Sequence, residues 1–457
     1  MKKIFLSIFI LLILLNNAYC SNFGDTYGFS PVGVSMGNAM TAIADDWSSV
    51  YYNISGLGKT PKQRTLNGAN VSTLNELAVS IIYTKPSFYI DIARDGIVGA
   101  DDLDFSAFVL GVAVDLNHIY KMPSIISTAR LGVGLGAIQG GYAARVNDVD
   151  LKTHNFLRYG REAQRTMILT GTGFGFFEDM FGVGMGVSMN FGGEGKTKLS
   201  NVTMTIDEQI PEAQSKMDMT MVPTLVAGFY FRPEKIFPAV KGLEFGFAYR
   251  EENYMEIYPF ENAAHMKTGN LAMYMTLAIF DYYSPDILSI GAGYTWGDTT
   301  VSADLEKQCW SNFRVSSTNT IKYQYEDNEE ITEELSGKST VPELDDIYVI
   351  KFGLRHNLSE SLSFLGGFYR QPSFVPDGAC KGEINFLDNE KYVFSCGLQY
   401  LMGKKWGLGG PVELTIGYQL QTLKERSISK DDPTEYNPPY TYGGKCHTII
   451  LGTSIKL

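Results

Sequence analysis

Beyond residue 20 the sequence contains no uninterrupted apolar run of 18 residues, which excludes transmembrane helices from that part of the chain. Its five histidines are scattered and show no metal-ligand spacing. No linker, repeat of fixed period or shift in composition divides the 457 residues into soluble domains. We therefore expect no metal or other cofactor and no multidomain soluble architecture.

The apolar stretch that is present lies at the beginning of the chain. Two lysines, Lys2 and Lys3, precede the apolar run Ile4–Leu15, and Ala18-Tyr19-Cys20 follows with small residues at the two positions that a signal peptidase reads. This pattern predicts a secretory signal peptide over residues 1–20 that is cleaved before Ser21. A lipid-attachment site ending in Cys20 is the alternative, but Tyr19 is bulkier than such sites require.

Cysteine is rare, and only four cysteines follow residue 20. Cys309 and Cys380 lie in polar, loop-like sequence and are able to pair in an oxidising compartment. Cys396 lies in a strand-like run, where we expect it to pack as a small apolar side chain.

Aromatic residues make up 13% of the sequence and glycines number 47. Runs of about ten residues that alternate apolar with small or polar residues recur along the chain, and charged residues within these runs take the register opposite to the apolar residues. This pattern predicts an all-β transmembrane antiparallel barrel of about fourteen strands. The predicted strands are 63–71 or 77–90, 105–116, 127–143, 165–177, 181–192, 217–232, 241–256, 268–282, 287–300, 345–357, 361–370, 391–402, 411–424 and 445–457.

The predicted connections alternate in length. Short ones include Glu178-Asp179, Ser284-Pro285, 358–360 and 403–410, and long ones include 193–216, 301–344, 371–390 and 425–444. In outer-membrane barrels short turns are periplasmic and long loops extracellular. Both termini are therefore expected in the periplasm, with residues 61–457 forming the barrel and 21–60 available as a plug.

Three consecutive predicted strands carry glycine at every second position, in the runs 132–136, 171–175 and 182–186. A period of two places these glycines on one face of each strand, so a dinucleotide-binding loop is not indicated. The inner wall is expected to be nearly bare there, which leaves room for a plug or a ligand. Gly33 to Gly37 also fits the Gly-x-Ser-x-Gly nucleophile elbow, but no strand–turn–helix framework surrounds it, and we expect no enzyme.

The segment 33–57, GVSMGNAMTAIADDWSSVYYNISGL, resembles the N-terminal signature of the outer-membrane long-chain fatty acid transporters, the OmpP1/FadL/TodX family. The matching residues are Gly37, Ala39, Thr41, Ala42, Ala44, Asp45, Asp46, Tyr51, Asn53, Gly56 and Leu57. Ile54-Ser55 departs from the usual Pro-Ala and removes a proline-fixed φ. GFYRQPSFVPDG (367–378) and the C-terminal run from Tyr436 resemble the closing region of the same family.

The resemblance implies a fourteen-stranded barrel with an N-terminal hatch in its lumen, acting in passive uptake of hydrophobic compounds such as long-chain fatty acids. It also implies capture among the loops, hatch movement and lateral exit through a kink in the third strand, for which Gly140 and Gly141 are candidates; fraying of the barrel end is the alternative. Arginines able to meet a ligand carboxylate are Arg145, Arg158, Arg250 and Arg370.

Cleavage of the signal removes two lysines and takes the net charge from −12 to about −14, which argues against nucleic-acid partners. The acidic stretch 323–335 is expected to be a solvated extracellular loop, with cation bridging to lipopolysaccharide as the alternative. Expected partners are hydrophobic small molecules, outer-membrane lipid and lipopolysaccharide, and the barrel-assembly machinery. The alternative function is a non-transporting outer-membrane platform for secretion or surface attachment.

Overall fold

A computed structural model describes most of the chain beyond residue 21. The described residues are 22–62, 64–66, 69–70, 73–92, 96–99, 103–138, 154–160, 164–200, 202–203, 212–262, 266–267, 271–314, 318–325, 333–338, 343–380, 385–403, 410–430, 433 and 438–457. The predicted signal peptide lies outside these ranges, as does 326–332, the middle of the acidic stretch.

Fourteen antiparallel strands form a closed barrel, because the last strand pairs with the first. The strands are β1 (Glu76–Ile92), β2 (Phe105–Asp115), β3 (Ile126–Ile138), β4 (Met167–Phe176), β5 (Phe181–Ser200), β6 (Glu212–Phe231), β7 (Leu243–Arg250), β8 (Ile287–Trp296), β9 (Thr299–Gln308), β10 (Ile347–Asn357), β11 (Leu362–Gln371), β12 (Lys391–Met402), β13 (Val412–Ile428) and β14 (Tyr440–Lys456). The predicted all-β barrel and its strand number are confirmed.

The alternating pattern decides which side chains face outward. In β13 Leu414, Ile416 and Tyr418 are exposed on the outer face, whereas Thr415 between them and Gln419 and Gln421 beyond them are buried inside. A polar side chain on the lipid-facing side of a barrel is costly, so alternation fixes the facing of each strand. Cys396 takes an outward position in β12, and Cys309, Cys380, Cys396 and Cys446 are all free thiols. The disulfide considered for Cys309 and Cys380 is therefore not formed.

One predicted strand and one predicted loop near the middle of the chain were wrong. The run predicted as 268–282 forms the strand Leu271–Ser284, but this strand belongs to a separate sheet and not to the barrel. The barrel strand in its stead is β9, which was predicted as part of the long loop 301–344. Its inward residues are polar, among them Ser302, Asp304 and Glu306, and this obscured the apolar alternation of the other face.

One end of the barrel has the short turns and both termini, and we call it the terminal end. The opposite end has the long connections, and we call it the loop end. Tight turns join β4 to β5 at 177–180, as predicted, and β8 to β9 at 297–298. Ser284-Pro285 is not such a turn, because it joins the separate sheet at the loop end to β8.

The separate sheet at the loop end has the strand order Asn253–Asn262, Leu271–Ser284, Thr318–Tyr325 and Glu333–Lys338. Shorter strands are Thr65–Leu66, Ala69–Asn70, Gly96–Gly99, Asn155–Phe156, Val202–Thr203, Met266–Lys267 and Phe386–Leu387. The 3₁₀ helices outside the N-terminal region are Leu116–His118, Pro233–Lys235, Pro238–Val240, Trp310–Asn312 and Asp377–Ala379.

Residues 22–62, here the N-terminal segment, contain the short helices α1 (Phe23–Thr26), α2 (Pro31–Ser35) and α3 (Ser49–Tyr52) and the 3₁₀ helix Ile54–Gly58. Helix α2 begins with proline at its first position, and the Ser30 side chain accepts from the Gly33 N–H at 3.1 Å. Both features stabilise a helix N-terminus. Its Ser35 hydroxyl donates to the Pro31 carbonyl at 2.7 Å, so it is engaged within the helix.

Among the residues that the structure describes, no helix is both long and apolar enough to cross a membrane.

Candidate functional site

The N-terminal segment packs against the inward faces of the barrel strands. Most of the glycines of β3, β4 and β5 that the sequence placed on one face lie against it: an added Cβ at Gly132, Gly136, Gly171, Gly173, Gly184 or Gly186 would lie within 2.8 Å of a segment atom, whereas one at Gly182 would meet Tyr230 of β6. The expectation of a nearly bare inner wall is confirmed. Side chains are absent from the inward faces of these strands because the segment occupies the space that they would fill.

The 3₁₀ helix approaches the wall closely. A Cβ at Gly184 would lie 2.5 Å from the Ser55 backbone nitrogen, and one at Gly173 would lie 2.7 Å from the Gly58 nitrogen. Such distances are shorter than real Cβ contacts. Glycine is therefore required at these positions for the segment to dock where it does.

Arg130, on the inward face of β3, holds the backbone of the segment. Its Nε donates to the Leu57 carbonyl at 2.8 Å, and its Nη2 donates to the carbonyls of Asp45, Gly56 and Lys59 at 2.8, 2.9 and 3.0 Å. The side chain is only 1% exposed. A planar guanidinium presents five donors in fixed directions, and here it joins carbonyl groups of two separate stretches of the segment.

Glu244 of β7 gathers three cations beside the end of the segment. Lys59 Nζ lies 3.1 Å and Lys62 Nζ 2.9 Å from its carboxylate, and Arg232 Nε lies 3.4 Å away. Lys59 also donates to the Ala42 carbonyl. Burial lowers the pKa of Lys59 to about 8, against the attraction of Glu244. A buried carboxylate with this many partners links the segment to the wall by charge.

The paired acids of the motif have different surroundings. Although burial opposes ionisation of Asp45, Lys62 lowers its pKa below the ordinary value, and the Lys62 N–H donates to Asp45 at 3.1 Å. Asp46 accepts from the Ser48 N–H at 2.9 Å and from the Ser48 hydroxyl at 2.6 Å. Burial, and after it the nearby Glu76, raise the pKa of Asp46 to about 6.

The Ile54-Ser55 departure lies at the start of the 3₁₀ helix. The Ile54 side chain packs against Gly171 and Gly186, where an added Cβ would be 2.4 and 2.5 Å from its Cδ1. Asn53 Oδ1 accepts from the Ser55 hydroxyl at 2.7 Å and from its N–H at 3.2 Å. Packing and a side-chain cap thus restrain the backbone where a proline would fix φ.

The remaining motif residues also lie in the segment, which contains Gly37, Ala39, Thr41, Ala42, Ala44, Tyr51, Gly56 and Leu57. Gly37 has a φ of +62° and approaches the backbone of β10 and β11, where a Cβ would lie 2.7 Å from the Phe368 nitrogen. Asn53 Nδ2 bridges the carbonyls of Thr41 and Phe229 at 2.7 and 3.2 Å. The motif is therefore a set of internal and wall contacts of the segment.

The candidate arginines are dispersed. Arg250 of β7 bonds Asp25 of the segment at 2.5 Å, and its guanidinium lies 4.4 Å from the Tyr51 ring. Arg158 bonds Asp388 at 2.8 Å, and both are buried. Arg370 takes an outward position in β11, where it bonds Glu390 at 2.5 Å and does not face the lumen. Gly140, Gly141 and Arg145 lie outside the described residues.

Eight aromatic rings form a continuous row from the loop end into the lumen, here the aromatic row. Successive ring centroids are 4.7 to 6.2 Å apart. In order the rings are Tyr440, Tyr442, Phe156, Phe88, Tyr159, Tyr27, Phe105 and Phe23. Phe23 packs on Gly136, next to the described end of β3, and the stack continues from Phe23 through Phe29 to Trp47 and Tyr51 of the N-terminal segment.

Lys391 of β12 lies beside this row and is 1% exposed. Its Nζ is 3.3 Å from Gln421 Oε1 and 3.4 Å from the Thr26 carbonyl, and 5.5 and 5.9 Å from the Tyr159 and Tyr369 ring centroids. Among the described residues no carboxylate is within salt-bridge distance of it, because Asp388 is bound to Arg158. The Tyr27 and Tyr369 hydroxyls and Arg158 Nη2 nearby also have no hydrogen-bond partner.

Sequence reasoning did not single out Arg130 or Lys391. Both occupy inward positions of otherwise apolar or small-residue strands, and an intramembrane charge is by itself a signal of function. Their partners, which lie in the N-terminal segment or in distant strands, were not visible from the chain order.

A closed barrel of fourteen strands with a lipid-facing apolar exterior and a polar, occupied lumen defines a transmembrane outer-membrane-type β-barrel. No family model matches the chain. The alkane uptake protein A of Marinobacter nauticus is 22% identical to it, over 96% of this chain and 92% of that protein.

Among solved structures, a FadL homologue of Pseudomonas aeruginosa is similar with a TM-score of 0.52 and 11% identity, over 94% of this chain and 98% of its own. A deletion mutant of the TodX monoaromatic hydrocarbon channel is similar with a TM-score of 0.51 and 10% identity, over 95% and 100%. Both solved structures share the fold of this chain, which is therefore similar in fold to the FadL and TodX outer-membrane β-barrels. These relatives are named as an uptake protein and a channel, which agrees with the expectation that this chain is not an enzyme.

Proposed function

We propose that the protein takes up hydrophobic compounds across the outer membrane, and that the aromatic row is their path. The main observation in support of this path is that the row is continuous from the loop end to the inner face of the wall beside β3. An apolar solute gains about 25 cal/mol for each Å² it buries, and a row of rings offers such a surface without a break. The relatives named for alkane uptake and for a hydrocarbon channel support the same class of permeant.

The permeant leaves sideways, through the wall at the end of β3. Phe23, at which the row meets the wall, packs on Gly136 beside the described end of β3. Toward the terminal end the Arg130 and Glu244 contacts bind the N-terminal segment to the wall, and these charged groups disfavour passage of an apolar solute. Gly140 and Gly141 remain the proposed opening.

The N-terminal segment acts as a hatch whose two parts differ in mobility. Residues 41–62 are bound to the wall by Arg130 and by the three cations at Glu244, whereas α1 and Tyr27 have a single ion pair, Asp25 with Arg250, and neutral hydrogen bonds from Gln419 and Gln421 to the Tyr27 and Thr26 carbonyls. Entry of a permeant between Tyr159 and Phe105 displaces Tyr27, which lies between them. Movement of α1 therefore opens the path while the rest of the segment keeps the barrel closed to water.

Lys391 favours a permeant with a carboxylate, such as a long-chain fatty acid. A buried ammonium without an anionic partner is costly, and a ligand carboxylate beside Lys391 and Arg158 Nη2 would offset that cost. The aliphatic chain would then follow the aromatic row. A hydrocarbon would follow the same path without contacts to Lys391 and Arg158.

Uptake of labelled palmitate and labelled hexadecane by cells expressing the protein tests these proposals. Phe105→Ala is expected to weaken uptake of both about tenfold, because losing roughly 50 Å² of apolar contact costs about 1.3 kcal/mol. Phe352→Ala, which changes a lipid-facing ring that is 50% exposed, is the matched control. Correct insertion is checked by heat-modifiable migration. Absence of uptake by the inserted native protein would favour the platform function.

Lys391→Met separates the two permeants. Palmitate uptake is expected to fall and hexadecane uptake to persist, since the methionine keeps the apolar stem and loses the charge. Equal loss of both would contradict a headgroup role for Lys391 and leave the aromatic row as the shared path.

A further inference from the structure

The turns at the terminal end below β2 to β7 carry large apolar side chains in exposed positions. Six of these side chains are 47 to 75% exposed, and together we call them the turn ridge. They are Ile119, Tyr120, Ile125, Phe177, Ile236 and Phe237. They come from three separate connections, at 116–125, 177–180 and 232–242. Contiguous exposed apolar groups of this size mark an interaction surface in most proteins.

Backbone contacts join the three connections into one surface. The Phe177 N–H donates to the Ile125 carbonyl at 3.1 Å, and the Arg232 N–H donates to the Met180 carbonyl at 2.7 Å. The ridge is thus a feature of half of the rim. On the other half, among the described residues, the turn 297–298 is Gly-Asp and the turn 358–361 has a single exposed apolar side chain, Leu358; residues 404–409 of the third turn lie outside the described ranges.

The ridge continues the lipid-facing wall. The Phe177 ring lies 5.7 Å from that of Phe181, and Phe181 lies 6.4 Å from Phe229. Phe229 is 41% exposed on the outer face of β6. The ridge is thus joined at Phe177 to the surface that contacts membrane lipid.

Charge at the ridge fits a lipid surface with anionic headgroups. Lys121 follows Tyr120 and Lys241 closes the 232–242 turn, and both are exposed. Glu178 is the exposed acid beside Phe177. Exposed aromatic and aliphatic groups flanked by lysine are typical of segments that lie in the headgroup region, with the apolar groups about 5–10 Å deep.

We propose that the turn ridge inserts into the lipid leaflet on the terminal side of the membrane, with Lys121 and Lys241 at anionic phosphates. The barrel is then anchored more deeply on the side of β3 than on the side of β10. This anchoring does not depend on transport, so the test below stands apart from the uptake measurements.

The test uses the full-length protein in vesicles, with the accessible cysteines replaced by Cys309→Ser and Cys396→Ser. A bimane fluorophore is attached at Phe237→Cys or Tyr120→Cys, and at Asp298→Cys on the other half of the rim as control. Lipids spin-labelled near the headgroup are expected to quench the first two sites several-fold more strongly than the control. Phosphatidylglycerol is expected to strengthen this quenching, and Lys121→Gln with Lys241→Gln to remove the increase.

Quenching at positions 120 and 237 that equals the control, together with strong quenching by aqueous iodide, would overturn the proposal. The ridge would then face water and be open to a soluble partner. Heat-modifiable migration of each labelled variant shows that the barrel has formed, so a failed insertion is not read as exposure to water.

Discussion

Arg130 Nε donates to the carbonyl oxygen of Leu57 at 2.8 Å, across 73 positions of sequence. The same guanidinium reaches the carbonyls of Asp45 and Gly56, so one side chain of β3 fixes two distant stretches of the N-terminal segment. Because β3 also ends beside the proposed lateral opening, the strand that would part from its neighbours is the strand that holds the hatch.

Arg130→Lys is expected to loosen residues 45–59. A lysine is a point donor and cannot reproduce the fork, and each hydrogen bond lost to a charged group costs about 1.5–3 kcal/mol. Amide hydrogen exchange in this stretch should accelerate about tenfold or more. Arg314→Lys, in an exposed pair with Glu252, is the control. Unchanged protection would mean that Arg130 does not hold the segment.

Glu244→Gln is expected to destabilise the docked segment more than Lys59→Met. The first change leaves Lys59, Lys62 and Arg232 without their shared carboxylate, and breaking a buried pair in this way costs about 3–5 kcal/mol. The second leaves Glu244 with two cations. Thermal unfolding of the purified barrel measures the order, and the reverse order would show that Lys59 is the indispensable member.

Gly184→Ala is expected to displace the 3₁₀ helix from the wall. Its Cβ would lie 2.5 Å from a backbone atom that cannot rotate away, and overpacking of this kind costs about 1–3 kcal/mol. Gly366→Ala is the matched control, because its nearest atom would be 3.5 Å away on the Phe364 side chain. Protease digestion of the folded barrel should cut the N-terminal segment in the first variant and spare it in the second.

Asp46 makes docking of the segment depend on pH. Its pKa of about 6 lies above the ordinary 3.8, so the docked state binds more protons than the undocked state between these values. Protection of residues 45–59 should therefore fall as the pH rises from about 4 to 6 and stay constant above that. Glu76, Lys456 and Asp45 face the same carboxyl and contribute to the profile.

Asp46→Asn isolates this contribution. The difference between the native and variant exchange profiles should show the fall between about pH 4 and 6, and the variant should be flatter there. Parallel profiles would assign the pH dependence to the other carboxyl groups. The measurement needs only exchange at two or three pH values in that window.

The sequence by itself determined the barrel, its strand number and the facing of most strands, because lipid on one side imposes a period of two on each strand. It also determined that β3 to β5 present a bare inner face, because glycine at every second position of a strand leaves one of its faces without side chains. The motif residues 37–57 marked the segment that fills that space.

Tertiary structure alone decided which runs enter the barrel. The local sequence does not show which of Leu271–Ser284 and β9 is a barrel strand. β9 is part of the wall because it pairs with β8 and β10. It also decided the partners of Arg130, Glu244 and Lys391. Side-chain alternation predicts that a charged side chain points inward. The group that it contacts comes from a distant part of the chain, which closure of the barrel brings close.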